Sequence, residues 1–366
     1  MLLLTGATGL LGRELLDRLR AARPDRRIVA LTRRQEKAAE LSRISGLTAL
    51  EADLMRPGLG LDGVTLQHLR NSVTEILHCA AETRFGLPIE EARAANVGST
   101  ENLLQVARGC RRLQKFGHVS TVYVAGRAAG RVPEAPFRHS DGFLNTYQQS
   151  KYEAEELVIR AMSDLPLAVF RLSSVIGDSA TGQVRQFNHV HQLLRVLPRN
   201  VLAVAPCDPA APIDLIPSDW ASSSLACLFD SRFVPGRIYQ LCAGQQASLT
   251  AGQMIDLTAG IFQKHPVGRR LSPLRLPKLV SLVEYEEYVA RMRRGTDRLL
   301  NELLRVLGYF LPHLGIFQVF ENRHASEALA GSGLTLPPIR SYYHKIVHYC
   351  LETDWGRTAP AAVPKL

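Results

Sequence analysis

The chain has 366 residues, of which 46% are hydrophobic and 21% are charged, a composition typical of a globular protein with a sizeable core. Its formal net charge of +10 favours acidic or phosphorylated ligands, although a genomic preference for arginine codons would produce the same excess. No basic run is interleaved with stacking aromatic residues, which argues against a nucleic-acid partner, and the six cysteines contain no C-x-x-C pair, which excludes a zinc ribbon or a disulfide scaffold.

The sequence also carries no pattern of a secreted or membrane-spanning protein. MLLL runs directly into a glycine-rich segment without a charged lead or a long apolar core, so we expect no signal peptide. The most apolar later stretch, 303–320, contains Arg305, Pro312 and His313, which argues against a transmembrane segment. We therefore expect a cytoplasmic protein with reduced thiols.

The N-terminal segment MLLLTGATGLLGRELLDRLRAA predicts a strand, a tight turn and a helix. The apolar run 2–4 precedes glycines at T-G-x-x-G-x-x-G spacing, and leucines then recur at helical spacing. Such glycines let the backbone approach a pyrophosphate, and the helix N-terminus offers unpaired N–H groups to the anion. The segment therefore predicts a dinucleotide-binding site. Its expected residues are Thr5, Gly6, Thr8, Gly9, Leu10, Leu11 and Gly12.

The second predicted strand, RIVALTRR, ends in Arg33 and Arg34. A site for NAD usually has a carboxylate near this strand end, where it holds the ribose 2′-hydroxyl. Two guanidinium groups suit a 2′-phosphate instead. We therefore expect NADPH rather than NADH, and the alternative is a solvated basic loop.

Two more strands follow, and each ends in residues suited to the cofactor. LTALEADL ends in Asp53 and Leu54, where a carboxylate can accept a hydrogen bond from the adenine amine. EILHCAAETRF ends in the small residues Cys79, Ala80 and Ala81, which allow a cofactor to lie close to the strand end. The helix EEARAANVGSTENLLQVAR and the strand FGHVSTVYV come next. This alternation predicts a Rossmann-type, doubly wound parallel sheet.

The segment NTYQQSKYEAEELV places Tyr147 and Lys151 one helical turn apart, so they share a helix face. Spacing alone favours an ordinary surface pair on an amphipathic helix over a catalytic pair. A tyrosine has an ordinary pKa near 10, and a neighbouring ammonium group would lower that pKa. Ser120 or Thr121, after the fifth strand, could supply a hydroxyl that polarises a carbonyl group.

These motifs occur in the order and at the spacings of the extended short-chain dehydrogenase/reductases, which residues 1–240 resemble. The matching segments are TGATGLLG (5–12), Asp53-Leu54, HCAA (78–81), Asn96, HVST (118–121) and Tyr147-x-x-x-Lys151. The resemblance implies that Thr121, with Ser120 as its neighbour, occupies the position of the catalytic hydroxyl. It also implies that Tyr147 donates the proton, that Lys151 holds the nicotinamide ribose, and that Asn96 orders a proton-relay water.

In relatives the segment after the sixth strand crosses the nicotinamide end of the cofactor, often with a proline that this chain lacks. The corresponding residues here are Leu172, Ser173, Ser174 and Val175.

Four segments are similar to a particular branch, the fatty acyl-CoA reductases and the thioester reductase domains of carboxylic acid reductases and peptide synthetases. They are 78–107, 118–124, 177–183 and 210–220. The resemblance implies an NADPH-dependent oxidoreductase of lipid metabolism that reduces an acyl thioester, held on coenzyme A or an acyl carrier protein, to an aldehyde. A second hydride transfer would give the alcohol.

Three other functions remain open. They are a ketoreductase or 3β-hydroxysteroid-type dehydrogenase acting on a hydrophobic substrate, a sugar-nucleotide epimerase, and a dinucleotide-sensing scaffold without catalysis. Val122 and Tyr123 stand where the related dehydratases carry acidic residues, which argues against dehydration.

The resemblance fades near residue 245, which suggests three parts. Residues 1–245 form the NADP-binding domain, with substrate-binding parts from about 172; 246–357 form a smaller, mostly helical substrate or lid region; and 358–366 form a flexible tail. The aromatic residues of the helical region could line an acyl pocket or a carrier-docking surface, although simple packing of helices is the favoured interpretation. They are Tyr309, Phe310, Phe317 and Phe320.

Two histidine pairs and a subunit interface complete the expectations. His344 and His348 have the i, i+4 spacing of metal ligands, but no third ligand is evident and we expect no metal. His189 and His191 are expected to line or edge the substrate cleft. By analogy with relatives, helices around 90–108 and 145–162 could pair two subunits into a homodimer.

Overall fold

The computed structural model describes residues 1–265, 275–294 and 298–358. Its strands are β1 (Leu2–Thr5), β2 (Ile28–Thr32), β3 (Leu47–Glu51), β4 (Glu75–His78), β5 (Lys115–Thr121), β6 (Gly130–Val132), β7 (Leu167–Leu172), β8 (Ser174–Val175), β9 (Val204–Pro206), β10 (Pro212–Ile213), β11 (Leu215–Ile216), β12 (Ile238–Leu241), β13 (Leu249–Thr250), β14 (Lys278–Val280) and β15 (Gln318–Phe320). Its α-helices are α1 (Leu10–Ala22), α2 (Gln35–Ser42), α3 (Gly63–Ser72), α4 (Ile89–Arg93), α5 (Ser99–Arg108), α6 (Thr146–Ala161), α7 (His189–Val196), α8 (Ser218–Asp230), α9 (Gly244–Ala247), α10 (Ala251–Lys264), α11 (Leu282–Met292), α12 (Arg298–Leu307), α13 (Arg323–Leu329) and α14 (Ile339–Glu352).

Seven strands form one parallel sheet in the order β12-β7-β5-β4-β1-β2-β3. Every residue of β1, β2, β4, β7 and β12 is buried, as expected for a parallel sheet covered on both faces. The direction of strand succession reverses between β1 and β4, which opens a crevice at their carboxyl ends. The predicted Rossmann-type, doubly wound sheet is confirmed.

Alternation along β1 divides the core into two layers. Leu2 and Leu4 pack with the apolar faces of α1 and α8 on one side of the sheet. Leu3 packs with residues of α3 and α5 on the other side. The two layers fix the carboxyl ends of the strands against both helix layers, and the candidate active site lies at those ends.

The C-terminal region joins the rest of the chain through a third apolar cluster. Residues of α10 and α14, among them Met254 and Tyr342, pack against Ile176 and Leu215 from the earlier part of the chain. Short strands make further links, because β15 pairs with β6 and β14 pairs with β9. The division near residue 245 stays a prediction, and all of the predicted tail except its first residue lies outside the described residues.

None of the helices in the described part of the chain has both the length and the hydropathy that a bilayer span requires. Within those same residues, no group of three or more His, Cys, Asp or Glu side chains is arranged to hold a metal ion. The rings of His344 and His348 lie 6.0 Å apart, and His265 is the ring neighbour of His348 at 4.7 Å.

Candidate active site

The glycine turn between β1 and α1 leaves no room for side chains. Gly6 has a φ of +75°, and a Cβ atom there would lie 2.6 Å from the backbone nitrogen of Ala80. A Cβ atom on Gly12 would lie 2.0 Å from the carbonyl oxygen of Gly6. The turn therefore packs directly on the end of β4 and on the first turn of α1, which forms the close backbone approach that a pyrophosphate requires.

A hydrogen-bonded pair joins the ends of β1 and β4 behind this turn. The Oγ1 atom of Thr5 lies 2.7 Å from Nδ1 of His78 and accepts a hydrogen bond from the backbone nitrogen of Ala80 at 3.2 Å. Burial, aided by the charge of Lys151, lowers the pKa of His78 to about 3, so the ring is neutral. Cys79 and Ala80 are half-buried and Ala81 is exposed, which leaves a shallow edge of small residues.

The predicted adenosine-binding residues lie at the ends of β2 and β3. Arg33 and Arg34 are exposed, and neither guanidinium has an ion-pair or hydrogen-bond partner within the described part of the chain. Asp53 is half-buried, and its Oδ1 atom accepts a hydrogen bond from the backbone nitrogen of Met55 at 3.0 Å. Leu54 is buried, and its carbonyl oxygen accepts a hydrogen bond from Asn102 at 2.9 Å. Thr8 and Gly9 are exposed at the glycine turn, with Leu10 and Leu11 half-buried behind them.

Helix α6 carries Tyr147 and Lys151 on one face near its N-terminus. Asn145 caps the helix, because its side chain accepts a hydrogen bond from the backbone nitrogen of Gln148 at 3.0 Å. The buried ammonium of Lys151 donates to the carbonyl oxygen of Val119 at 2.9 Å. Burial lowers the pKa of Lys151 to about 8, although the nearby Glu155 acts in the opposite direction.

The pKa of Tyr147 differs from the sequence-based expectation. Burial raises it to about 12, and Tyr123 adds to the rise, whereas a hydrogen bond with Thr121 lowers it in part. The expected lowering by Lys151 is therefore wrong for the structure, because loss of water around the phenol outweighs any attraction from the ammonium. The Tyr147 hydroxyl is therefore neutral in this arrangement, and its role as a proton donor stays a prediction.

Thr121, the last residue of β5, is the hydroxyl that the structure brings to Tyr147. Its Oγ1 atom donates to the carbonyl oxygen of Leu172 at 3.2 Å and accepts from the backbone nitrogen of Tyr123 at 3.3 Å. Ser120 comes one residue earlier, so its side chain lies on the opposite face of the strand. There its Oγ atom is buried without a hydrogen-bond partner in the residues described.

Asn96 lies in a single π-helical turn, Ala94–Gly98, that interrupts the passage from α4 to α5. Its amide accepts from the backbone nitrogen of Glu82 at 2.8 Å and donates to the carbonyl oxygen of Glu82 at 3.0 Å and to Oγ of Ser150 at 2.9 Å. Asn96 thus ties the loop after β4 to the catalytic helix, a position typical of π-turns at functional sites. Its role in ordering a relay water stays a prediction.

The segment after β7 leaves the sheet beside this cluster. The carbonyl oxygen of Leu172 holds Thr121, and Oγ of Ser173 donates to the carbonyl oxygen of Asp214 at 2.8 Å. Ser174 and Val175 form the short strand β8, which pairs with β11. The predicted contact of these four residues with the nicotinamide end stays a prediction.

Sequence reasoning missed a group of rings next to Tyr147. Phe85 stacks on Tyr147 with ring centroids 5.4 Å apart, and it also packs against His189 at 5.1 Å and His313 at 6.2 Å. Tyr123 lies 5.7 Å from His189 and 4.7 Å from His313. His189 had been expected at the cleft, whereas nothing in the sequence placed His313 there, because it comes from the C-terminal region through a long-range contact.

An apolar cavity of about 300 Å³ lies beyond these rings. Its walls combine residues from before and after position 245, including Leu194, Met254 and Ile255. Of the aromatic residues singled out in the helical region, Phe310 and Phe320 line the cavity. Tyr309 instead holds the start of α6, because its carbonyl oxygen accepts from Asn145 at 3.1 Å, and Phe317 is largely exposed.

The family model described as male sterility protein matches residues 4–225. The chain belongs to this family. Its sequence is 35% identical over 212 residues to the isonitrile lipopeptide synthase of Streptomyces coeruleorubidus. That match covers 53% of this chain and 14% of the synthase. It is 25% identical over 218 residues to fatty acyl-CoA reductase wat of Drosophila melanogaster, covering 47% of this chain and 42% of that protein. The chain therefore spans less than half the length of these two relatives.

A solved structure agrees over almost the whole chain. The terminal R domain from the myxalamid PKS-NRPS biosynthetic pathway is 26% identical, with a TM-score of 0.78, and the match covers 98% of this chain and 92% of that domain. The predicted extended short-chain dehydrogenase/reductase of the fatty acyl-CoA reductase and thioester reductase branch is confirmed. Proteins of this type are NAD(P)-dependent oxidoreductases, and the cradle formed by the glycine turn fits a nicotinamide dinucleotide.

Proposed function

We propose that the protein reduces an acyl thioester, carried on coenzyme A or on a carrier protein, to an aldehyde, with NADPH as the electron donor. The observation that carries this proposal is the cluster of Thr121, Tyr147 and Lys151 between a glycine cradle and an apolar cavity. Relatives named as a fatty acyl-CoA reductase and as a terminal R domain support the choice of a thioester over a ketone.

The side chains of the cluster account for the proton chemistry. The dinucleotide, when bound, supplies the hydride to the thioester carbonyl carbon. The Tyr147 hydroxyl donates a hydrogen bond to the carbonyl oxygen as it gains negative charge, and Thr121 adds a second once its hydroxyl turns away from the carbonyl oxygen of Leu172. The Tyr147 hydroxyl then gives up its proton. Lys151 stabilises the resulting phenolate. The phenolate then takes the proton back from the hydroxyl of the hemithioacetal, and the carbon–sulfur bond breaks. Sulfur leaves with the electron pair of that bond and takes a proton from solvent, and an aldehyde remains.

The test of this function measures consumption of NADPH with a set of acyl thioesters, alongside the Tyr147→Phe variant. We expect turnover by the wild type and a loss of at least about 10²-fold in the variant, because the phenol is the proton donor. Turnover of a ketone without turnover of any thioester would contradict the proposal. Product analysis then separates aldehyde from alcohol.

The preference for NADPH rests on Arg33 and Arg34. Two exposed guanidinium groups without partners in the described residues are free to bind a 2′-phosphate, and a hydrogen bond to a charged group is worth about 1.5 to 3 kcal/mol. We expect the Arg33→Ala and Arg34→Ala variants to raise the KM for NADPH by about tenfold or more and to leave the KM for NADH nearly unchanged. Equal changes in the KM for NADPH and for NADH would show that the two arginines belong to a solvated basic loop and do not bind the 2′-phosphate.

The state of the thiols supports a proposal for the compartment. All six cysteines are unpaired in the structure, and burial raises the pKa of several of them, for example Cys79 to about 12. Unpaired, unreactive thiols agree with the proposal that the protein works in the reducing cytoplasm.

A further inference from the structure

The apolar cavity stops short of the proton donor. Tyr123, His189 and His313 line the cavity, whereas Thr121 and Tyr147 are not among its lining residues. Phe85 stacks on Tyr147 and packs against His189 and His313, and neighbouring rings of this group of four have centroids 4.7 to 6.4 Å apart. The four rings, here called the ring wall, therefore separate the space for an apolar chain from the group that acts on the carbonyl.

Two rings of the wall are fixed by a shared hydroxyl. The Oγ atom of Ser174 lies 2.7 Å from the hydroxyl of Tyr123 and 3.2 Å from Nε2 of His189. The same two rings also face each other directly, with the Tyr123 hydroxyl 3.3 Å from Nε2 of His189. This triangle of hydrogen bonds holds both rings to the start of β8, so neither can turn away without breaking two contacts.

A third ring, Phe85, is held through its backbone and by stacking. Its carbonyl oxygen accepts a hydrogen bond from Oγ1 of Thr146 at 3.2 Å, and its ring lies against Tyr147 rather than on the cavity. Movement of Phe85 would therefore uncover Tyr147 without opening the cavity, because His313 still closes it.

His313 is held more weakly. It sits in the short 3₁₀ turn Leu311–Gly315, and its ring accepts a hydrogen bond from the amide of Gln148 at 2.9 Å. The orientation of that amide is set by its oxygen, which accepts from the backbone nitrogen of Leu144 at 2.8 Å. Burial lowers the pKa of His313 to about 3, so the ring is neutral and can enter or leave an apolar space without moving a charge.

We propose that the cavity binds the apolar tail of the substrate and that His313, held by Gln148, is the ring that must leave the wall. Only then can a long tail occupy the cavity while its carbonyl group lies at Tyr147. The inference rests on the proposed thioester reduction and adds how the protein selects between short and long acyl chains. A short acyl group reaches Tyr147 without entering the cavity, whereas a long unbranched chain binds only when the wall is open. Its apparent affinity is then reduced by the fraction of molecules with an open wall.

Three substitutions test whether His313 and the cavity control binding of a long acyl chain. His313→Ala removes the ring, His313→Trp enlarges it, and Ile255→Trp fills the cavity beyond it from a half-buried position on α10. His68→Ala, on the exposed surface of α3, is the matched control. Melting temperature and dinucleotide binding, measured for each variant, show which of them are folded.

The first measurement compares kcat/KM for decanoyl-coenzyme A and acetyl-coenzyme A. We expect His313→Ala to raise the ratio of kcat/KM for decanoyl-coenzyme A to that for acetyl-coenzyme A by about tenfold. This is the effect of opening the wall in all molecules when about nine in ten are closed in the wild type. His313→Trp and Ile255→Trp should lower the ratio, and His68→Ala should not change it. A ratio that stays constant in folded His313→Ala and Ile255→Trp overturns the proposal even if thioesters are reduced.

A binding measurement separates this inference from the function on which it rests. Calorimetric titration with 1-decanol needs no turnover. Tighter binding by His313→Ala and loss of binding in Ile255→Trp support the ring wall even if no thioester is a substrate, in which case only the proposed function fails. Absence of 1-decanol binding in both the wild type and His313→Ala overturns the wall.

Discussion

Burial governs the proton chemistry of Lys151, and the pH dependence of the reaction follows from it. The pKa of Lys151 is about 8 instead of 10.5 because the ammonium is buried. Below pH 8 the ammonium can stabilise the phenolate of Tyr147, and above pH 8 it loses its proton. We expect kcat/KM to fall as the pH rises through about 8, since this parameter reports the free enzyme. Lys151→Arg, whose guanidinium stays protonated, should move the fall to higher pH or remove it. A profile unchanged in Lys151→Arg would assign the fall to another group.

The same residue has a cost in stability. A pKa lowered from 10.5 to about 8 means that the folded chain holds this proton more weakly than the unfolded chain. The free energy of unfolding therefore rises with pH between about 8 and 10.5, and at pH 7 burial of the charge costs about 3 kcal/mol. A substitution that removes the ammonium gains back this cost in stability but loses the hydrogen bond to Val119, which offsets about 1 kcal/mol of the gain. We expect Lys151→Met to be inactive yet about 1 to 2 kcal/mol more stable at pH 7, measured by urea unfolding. Equal or lower stability would show that the ammonium is stabilised in place.

At the scale of elements, a buried ion pair ties the catalytic helix to the sheet. Arg171 on β7 is fully buried and contacts Glu155 on α6 at 2.6 Å, and it also donates to the carbonyl oxygens of Pro133 and Ala135 at 3.0 Å each. Removing one partner leaves the other charge buried without compensation, at a cost of about 3 to 5 kcal/mol. We expect Glu155→Gln and Arg171→Met each to lose stability in this range by urea unfolding. The double variant Arg171→Met/Glu155→Met should lose less than the sum of the single losses. Simple additivity would mean that the two side chains act independently.

Local elements were predictable because their signals are local. The glycine turn around Gly6 and the shared face of Tyr147 and Lys151 depend on residues a few positions apart, so spacing alone indicated them. The resemblance to a family placed Thr121 at the catalytic hydroxyl position, and in the structure Thr121 hydrogen-bonds to Tyr147, while the catalytic role of both residues stays a prediction. The raised pKa of Tyr147 could not be predicted in the same way, because it depends on burial by parts of the chain that are distant in sequence.

At the scale of the whole molecule, the part of the chain least like its family completes the site. His313 and Ile255 lie outside the residues matched by the family model, yet both line the cavity. Ile255 lies on α10 and His313 in a 3₁₀ turn, and sequence patterns predicted no partner for either, since a hydrophobic pattern specifies which residues are buried and not what covers them. The parallel, doubly wound sheet and the glycine turn were accessible from sequence, whereas the ring wall requires four segments to meet in space.

This joint construction predicts that the C-terminal region unfolds together with the sheet. The chain has two tryptophans: Trp220 packs against the sheet core, and Trp355 packs against the cluster that joins α10 and α14 to residues such as Ile176. Trp355→Phe and Trp220→Phe leave one fluorescent reporter in each region. Because the two regions share one apolar cluster and several strand pairs, we expect the two urea transitions to coincide once each is corrected for the stability of its variant. An earlier transition reported by Trp355 would show that the C-terminal region opens by itself, and the ring wall would then open through loss of that whole region rather than through the His313 ring.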